Sequence, residues 1–252
     1  MVEVDRIMTE EFGIGVELMM ENAGISLARL AAEVGYINKK NSLVSIIAGS
    51  GNNGGGGLVA ARRLFAWGIP TVVFLPNGIS ALGSIPLVQA KRAKKIGIPI
   101  HEFLPPEIPD PQPHSVTLDC YIGYGFKSRK DSLSEEVFGY LKGCPNVISL
   151  DAPSGLDVTT GDDYGQVYPN ITLTIGFVKS GLLRAAPESI GDLYVCDVGI
   201  PIEVYGSKLK IEWKHPCHRS SLIELSRTFQ EDSIAGVDTT HTSGGFFWTA
   251  KI

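Results

Sequence analysis

Cysteine is scarce in this sequence, and what there is lies scattered. Cys120, Cys144, Cys196 and Cys217 are the four cysteines among 252 residues, and no two form a CxxC pair. That excludes a disulfide-stapled scaffold and argues against a zinc site; free thiols suit a reducing compartment, so a cytoplasmic location is expected. The histidines His101, His114, His215, His218 and His241 show no metal-ligand spacing, and the nearest approach, His215 and His218, has Pro216 between them. Positive charge is not in excess either. With 22 Lys and Arg against 27 Asp and Glu, a net charge of −5 and a pI near 5.6, the chain lacks the basic footprint of a nucleic-acid binder. No charge run points to a membrane surface, and no apolar stretch approaches the roughly 20 residues that span a bilayer. The opening Met1–Ile7 is too acidic and polar for a signal peptide. What is present, 44% hydrophobic and 19% charged residues, fits one globular α/β domain with a full core.

The abundant residue is glycine, and it is concentrated. Gly49-Ser-Gly-Asn-Asn-Gly-Gly-Gly-Gly57 follows the apolar run Leu43–Ala48 and precedes a helix-like Leu58–Trp67. Without Cβ atoms this stretch is free to adopt positive φ and to approach a ligand closely, with its amides at the positive end of the following helix. A flexible linker would not sit between a buried-strand pattern and an amphipathic helix, so the stretch is expected to be an anion-binding loop. Gly49, Gly51 and Gly54 satisfy G-x-G-x-x-G in the strand-turn-helix setting it requires. Yet the second strand ends in Pro76-Asn77-Gly78, where an ordinary dinucleotide oxidoreductase has an acid for the ribose. A P-loop is excluded because no Lys-Ser/Thr follows the glycines. Asn52 and Asn53 carry donor and acceptor together and tolerate left-handed backbone, and an amide oxygen is a fair ligand for a hard cation.

Apolar residues at helical spacing from Leu18 through Met19, Ala23, Leu27, Leu30 and Ala31 predict a first helix ending near Glu33. Strands are expected at Leu43–Ala48, Thr71–Leu75, Ile98–His101, Val116–Asp119, Val147–Leu150, Ile171–Ile175 and Leu193–Cys196. Helices Leu58–Trp67, Ile85–Ile96 and Leu133–Leu141 fill the gaps. Strands alternating with helices imply right-handed crossovers and a mostly parallel sheet covered on both faces, with ligands beyond the carboxyl ends of the strands. Three such ends carry chemistry: the glycine stretch, Asp119 running into Cys120–Arg129, and Asp151 followed by Ala-Pro153-Ser154-Gly155. A lone Asp after a strand is usually a cap or turn former, but two, each followed by a glycine-bearing turn, are expected to converge on the crevice beside the glycines. Lys127 and Arg129 are either solvated charges or a hold on a second phosphate.

Three of these segments together resemble the YjeF N-terminal domain family, whose enzymes are NAD(P)H-hydrate epimerases: Asn52-Asn53-Gly54-Gly55-Gly56-Gly57-Leu-Val-Ala-Ala-Arg, Asp119 through Gly123-Tyr-Gly125-Phe-Lys127, and Asp151-Ala-Pro153-Ser154-Gly155. Glu17-Leu-Met-Met-Glu-Asn-Ala-Gly24 is similar to the family's first helix, and the resemblance spans roughly residues 5 to 205. It implies a Rossmann-like three-layer αβα sandwich, usually a homodimer, acting in metabolite repair on the hydrates NADHX and NADPHX. It also implies a bound potassium ion at Asn53, Asp119 and Ser154. The substrate positions carry over to Asn52, Asn53, Gly54, Gly55, Gly56, Gly123, Tyr124, Gly125, Phe126, Lys127, Ser128, Arg129 and Asp151. Asp151, at a strand end and outside the ion set, is the expected catalytic acid/base.

Two departures accompany the resemblance. The family reads N-N-G-G-D-G where this chain has Gly56 in place of the Asp, which removes a carboxylate beside the substrate. The alternative function is therefore a catalytically impaired nucleotide-binding or scaffold domain of the same fold. Beyond residue 205, residues 206–252 match nothing expected of the domain and are read as a C-terminal extension ending in the aromatic cluster Phe246-Phe247-Trp248. They are too few for the second, kinase-like domain found in longer family members.

Overall fold

The computed structural model describes residues 2–33, 42–102, 115–126, 131–208, 222–229 and 246–251. Strands β1 (Val44–Ala48), β2 (Thr71–Phe74), β3 (Ile100–His101), β4 (Val116–Cys120), β5 (Val147–Leu150), β6 (Ile171–Ile175) and β7 (Asp192–Cys196) fall where the apolar runs predict them. They form one sheet in the order β3-β2-β1-β4-β5-β6-β7, every pair parallel. The helices are α1 (Val2–Arg6), α2 (Val16–Glu33), α3 (Asn52–Ala66), α4 (Ser84–Lys95), α5 (Ser132–Lys142) and α6 (Ser180–Arg184). The extension joins the same sheet through its backbone: β8 (Leu222–Phe229) pairs antiparallel with β7, and β9 (Phe246–Lys251) antiparallel with β8.

Side-chain alternation along the strands builds a core on each face. Ile46 of β1 joins Leu118, Ile148 and Leu173 under α2, α3 and α4. Ile47, one residue on, points the other way and packs with Val72, Phe74 and Val147 against Val137, Phe138 and Leu141 of α5. The result is the expected αβα sandwich. On α2 the buried stripe is Met19, Met20, Ala23, Leu27, Leu30 and Ala31, whereas Leu18, counted with that stripe in the sequence, lies on the solvent side.

The glycine stretch is the main correction to the sequence reading. Only Gly49–Gly51 form a turn; Asn52–Gly57 are the first residues of α3, and no residue from 49 to 57 has positive φ. The glycines act through contact distance instead. A Cβ on Gly54 would fall 1.9 Å from Gly49 O, on Gly55 2.5 Å from Met20 Cε, on Gly56 2.7 Å from Leu150 Cδ2, and on Gly57 2.7 Å from Cys120 Cβ. Four consecutive helical positions thus face four different neighbours at a spacing no side chain allows. Each glycine costs the helix about 1 kcal/mol relative to alanine. The return is a helix seated directly on β4, β5 and α2, with its amino end at the sheet's carboxyl edge.

Candidate active site

The strand order reverses at β1: the chain goes from β1 outward through β2 and β3, then returns to β4 on the other side. The crevice at such a switch point is where open α/β sheets bind ligands. A cavity of about 440 Å³ opens there, among the turn after β1, the segment after β4, Asp151 after β5 and the first two helices. Its apolar wall includes Met19, Met20, Leu150, Ile175 and Val198, and its polar side includes Asn52, Asn53, Tyr124 and Asp151. The α3 amides of the first turn have no carbonyl within their own helix, and Gly51, Asn52 and Asn53 line this space.

Asp151 is the residue held most tightly in the cavity. It is the one non-glycine with positive φ among the described residues, at +70°. Its N–H donates to Leu173 O at 2.7 Å, which anchors the bend to β6. The residue is 1% exposed and lies side by side with Lys179, whose Nζ ion-pairs with Oδ1. Tyr124 N–H donates to Oδ2 at 2.8 Å. Lys179 is itself buried, and its remaining protons go to Thr174 Oγ1 at 3.0 Å and Ile175 O at 2.8 Å. Gly123 completes the fit: a Cβ there would lie 2.8 Å from Asp151 Oδ2 and 3.1 Å from Asn53 Oδ1. Only glycine lets the segment after β4 pass between those two side chains.

Asp119 lies beneath this layer and is fully buried. Its Oδ1 accepts from Ser154 Oγ at 2.6 Å, and its Oδ2 accepts from Ser149 Oγ at 2.8 Å and Ser154 N–H at 2.9 Å. Burial pushes its pKa up, and the Ser154 and Ser149 hydrogen bonds oppose that push. Ser154 Oγ in turn accepts from Ile122 N–H at 3.0 Å, tying the turn after β5 to the segment after β4. Both carboxamide atoms of Asn53 are buried and have no hydrogen-bond partner among the described residues.

At the outer end of the cavity Tyr124 hydroxyl donates to Asp5 Oδ2 at 2.8 Å. Asp5 belongs to α1, which is pinned by the buried Val4 and by Ile7 and Met8 just beyond it. Burial raises the Asp5 carboxyl above the ordinary aspartate range, against the Tyr124 hydrogen bond. The Tyr124 phenol is likewise raised, by burial and by Asp5.

Of the residues expected at the substrate, Asn52, Asn53, Gly56, Gly123, Tyr124, Gly125 and Asp151 line the cavity. Gly54 and Gly55 lie under it as packing positions, and Phe126 packs against Phe138 and Tyr164. Lys127, Ser128 and Arg129 lie outside the described residues. Asp119 and Ser154 are brought into contact, and Asn53 stands beside Gly123, next in sequence to the Ser154-bonded Ile122. Two functional candidates escaped the sequence reading. Lys179 sits four residues past the end of β6, where the strand-end rule points, but nothing local ties it to Asp151; Asp5, in a five-residue helix, carries no periodic signal.

A family model described as YjeF-related protein N-terminus matches residues 16–181, more than half of the chain. An NAD(P)H-hydrate epimerase of Dehalogenimonas lykanthroporepellens is 33% identical over 234 residues, covering 91% of this chain and 92% of that protein. A bifunctional NAD(P)H-hydrate repair enzyme of Thermofilum pendens is 35% identical over 224 residues, 84% of this chain but 42% of that longer protein. Among solved structures, the crystal structure of yeast ynu0 superposes with a TM-score of 0.72 at 22% identity, covering 88% of this chain and 96% of that one, a likeness of fold.

Proposed function

The chain belongs to the family of YjeF-related protein N-termini, and on that premise we propose that its cavity interconverts the S and R hydrates of NADH and NADPH. The substrate is a nicotinamide ring hydrated at carbon 6. Inversion there proceeds by loss of the hydroxyl as water, assisted by the ring-nitrogen lone pair, and return of water on the other face. The protein must supply an acid, a base, and negative charge near a cationic ring. The observation that carries the reading is Asp151, a carboxylate in the cavity wall fixed by Lys179 and the Tyr124 amide in a backbone geometry that costs energy to hold. The apolar wall of Met19, Met20, Leu150 and Val198 offers the ring a water-poor seat, and the amino end of α3 suits the pyrophosphate.

The buried carboxamide of Asn53 has no hydrogen-bond partner among the described residues, and Asp119 and Ser154 are in contact with each other; the oxygens of these three residues are the kind a hard monovalent cation takes, and they would hold potassium. Such an ion would supply positive charge toward the anionic part of the nucleotide. Among the described residues no helix is long and apolar enough to cross a membrane. A cytoplasmic homodimer is the expected form, following the family and the free thiols. The test is direct: the separated S and R hydrates are incubated with the protein and followed by chromatography. Interconversion above the enzyme-free rate is expected. Binding without interconversion favours the second reading, a nucleotide-binding domain without turnover.

Gly56 is the observation behind that second reading, and the fold gives it a physical partner. Leu150 Cδ2 lies where a Cβ at position 56 would press, at 2.7 Å. Gly56→Asp alone should therefore destabilise by about 1–3 kcal/mol through overpacking. Combined with Leu150→Val, which withdraws that methyl, it should recover most of the melting temperature. Calorimetry of the single and paired variants checks the coupling. Turnover of the pair then reports what a carboxylate adds at that position.

A further inference from the structure

The inversion described above needs proton transfer on both faces of the ring, and one carboxylate reaches one face. Asp151 is committed to Lys179 on one oxygen and to the Tyr124 amide on the other. A second carboxylate stands in the same cavity at the far end of the same tyrosine: Tyr124 touches Asp151 with its backbone N–H and Asp5 with its phenol. The two aspartates are thus held apart by the length of one tyrosine side chain, with the cavity in contact with both. Resting on the epimerase reading, we infer that Asp5 is the second acid/base, serving the ring face that Asp151 does not, and that Tyr124 is the residue that positions it.

The electrostatics of the pair are complementary. The negative charge of Asp151 is compensated by Lys179, while Asp5 has no cation in hydrogen-bond contact among the described residues and is shifted by burial toward its protonated form. Two carboxyl groups in one site, one compensated and one desolvated, divide naturally into base and acid. Tyr124 occupies Oδ2 of Asp5, and the other oxygen makes no hydrogen bond among the described residues. In one direction the protonated aspartate gives its proton to the C6 hydroxyl, the C–O bond breaks, and water departs as the ring-nitrogen lone pair forms a C=N bond. Water then attacks C6 from the opposite face and loses a proton to the other aspartate. One water leaves and one enters, with no change of oxidation state. The two carboxyl groups finish with exchanged protonation, ready for the reverse direction or for reset by solvent.

Oxygen exchange separates this from a structural role. One epimer is incubated in H2(18)O, and two rates are read: inversion, and uptake of label into the unreacted epimer. Asp5→Asn should lower inversion at least 100-fold while label uptake with retention falls by less than tenfold, because Asp151 still opens and recloses one face. Tyr124→Phe keeps the ring and leaves Asp5 in place, so it should lower inversion about tenfold with the same tilt toward retention and little change in KM; it also answers for any folding defect in the first variant. Equal losses of inversion and exchange, or inversion within twofold of wild type in Asp5→Asn, overturn the assignment. A wild type that shows no inversion at all overturns the epimerase reading, and this assignment with it.

Discussion

Asp151→Asn is expected to lower the turnover of hydrate epimerisation by about 10²- to 10⁴-fold, the usual share of a positioned acid/base, with nucleotide binding largely retained. Asparagine is the informative replacement because residue 151 has φ +70°. Asn and Asp are the side chains that tolerate this region best, so the backbone bend after β5 should survive, whereas alanine would add strain to the chemical loss. The change does have a structural cost. Asp151 faces two donors, Lys179 Nζ on one oxygen and Tyr124 N–H on the other, and an amide has one acceptor atom for them. One donor is left unsatisfied, at about 1–3 kcal/mol. A lower melting temperature is therefore part of the expected result, and turnover must be measured well below it. Turnover within a few-fold of wild type in a folded, nucleotide-binding Asp151→Asn protein would remove Asp151 from the chemistry.

How far this could be seen beforehand depended on whether a feature is local. β1, β4 and β5 announce themselves as short apolar runs, and the aspartates at or just past the ends of the latter two follow from chain polarity alone. The glycine stretch was found but given the wrong conformation. Its composition looks like a loop, yet Asn52–Gly57 are helical, and the absent Cβ atoms of Gly55, Gly56 and Gly57 make room for neighbours distant in sequence, Met20, Leu150 and Cys120. Nothing within the segment itself reports those neighbours. Lys179 and Asp5 were missed for the same reason. Lys179 reaches back 28 residues to Asp151 and Asp5 reaches forward 119 to Tyr124, so their roles exist only after the sheet has formed. The last two strands show the converse: β8 pairs with β7 and β9 with β8, a backbone pairing that no motif in residues 206–252 signals.

Lys179→Met should be among the most destabilising single changes in the molecule. The Lys179 side chain is 7% exposed and that of Asp151 2%, so removing the cation leaves a buried anion without its counter-ion and with the Tyr124 N–H alone, a loss on the order of 3–5 kcal/mol. Urea unfolding would show it as a lower midpoint at unchanged slope. Lys179 does not line the cavity; it stands behind Asp151 and is a positioning residue, so turnover should fall through Asp151 rather than through lost substrate contact. The double variant Lys179→Met/Asp151→Asn separates these effects. With neither charge buried, it should regain much of the stability lost by Lys179→Met and yet remain as inactive as Asp151→Asn alone. Stability and activity would then move in opposite directions between the single and double variants, as expected for an ion pair kept for its catalytic partner rather than for the fold. If the double variant were as unstable as Lys179→Met, the bonds of Lys179 to Thr174 and Ile175 would be the dominant contribution, and the pair would have to be assigned to holding β6 and α6 together.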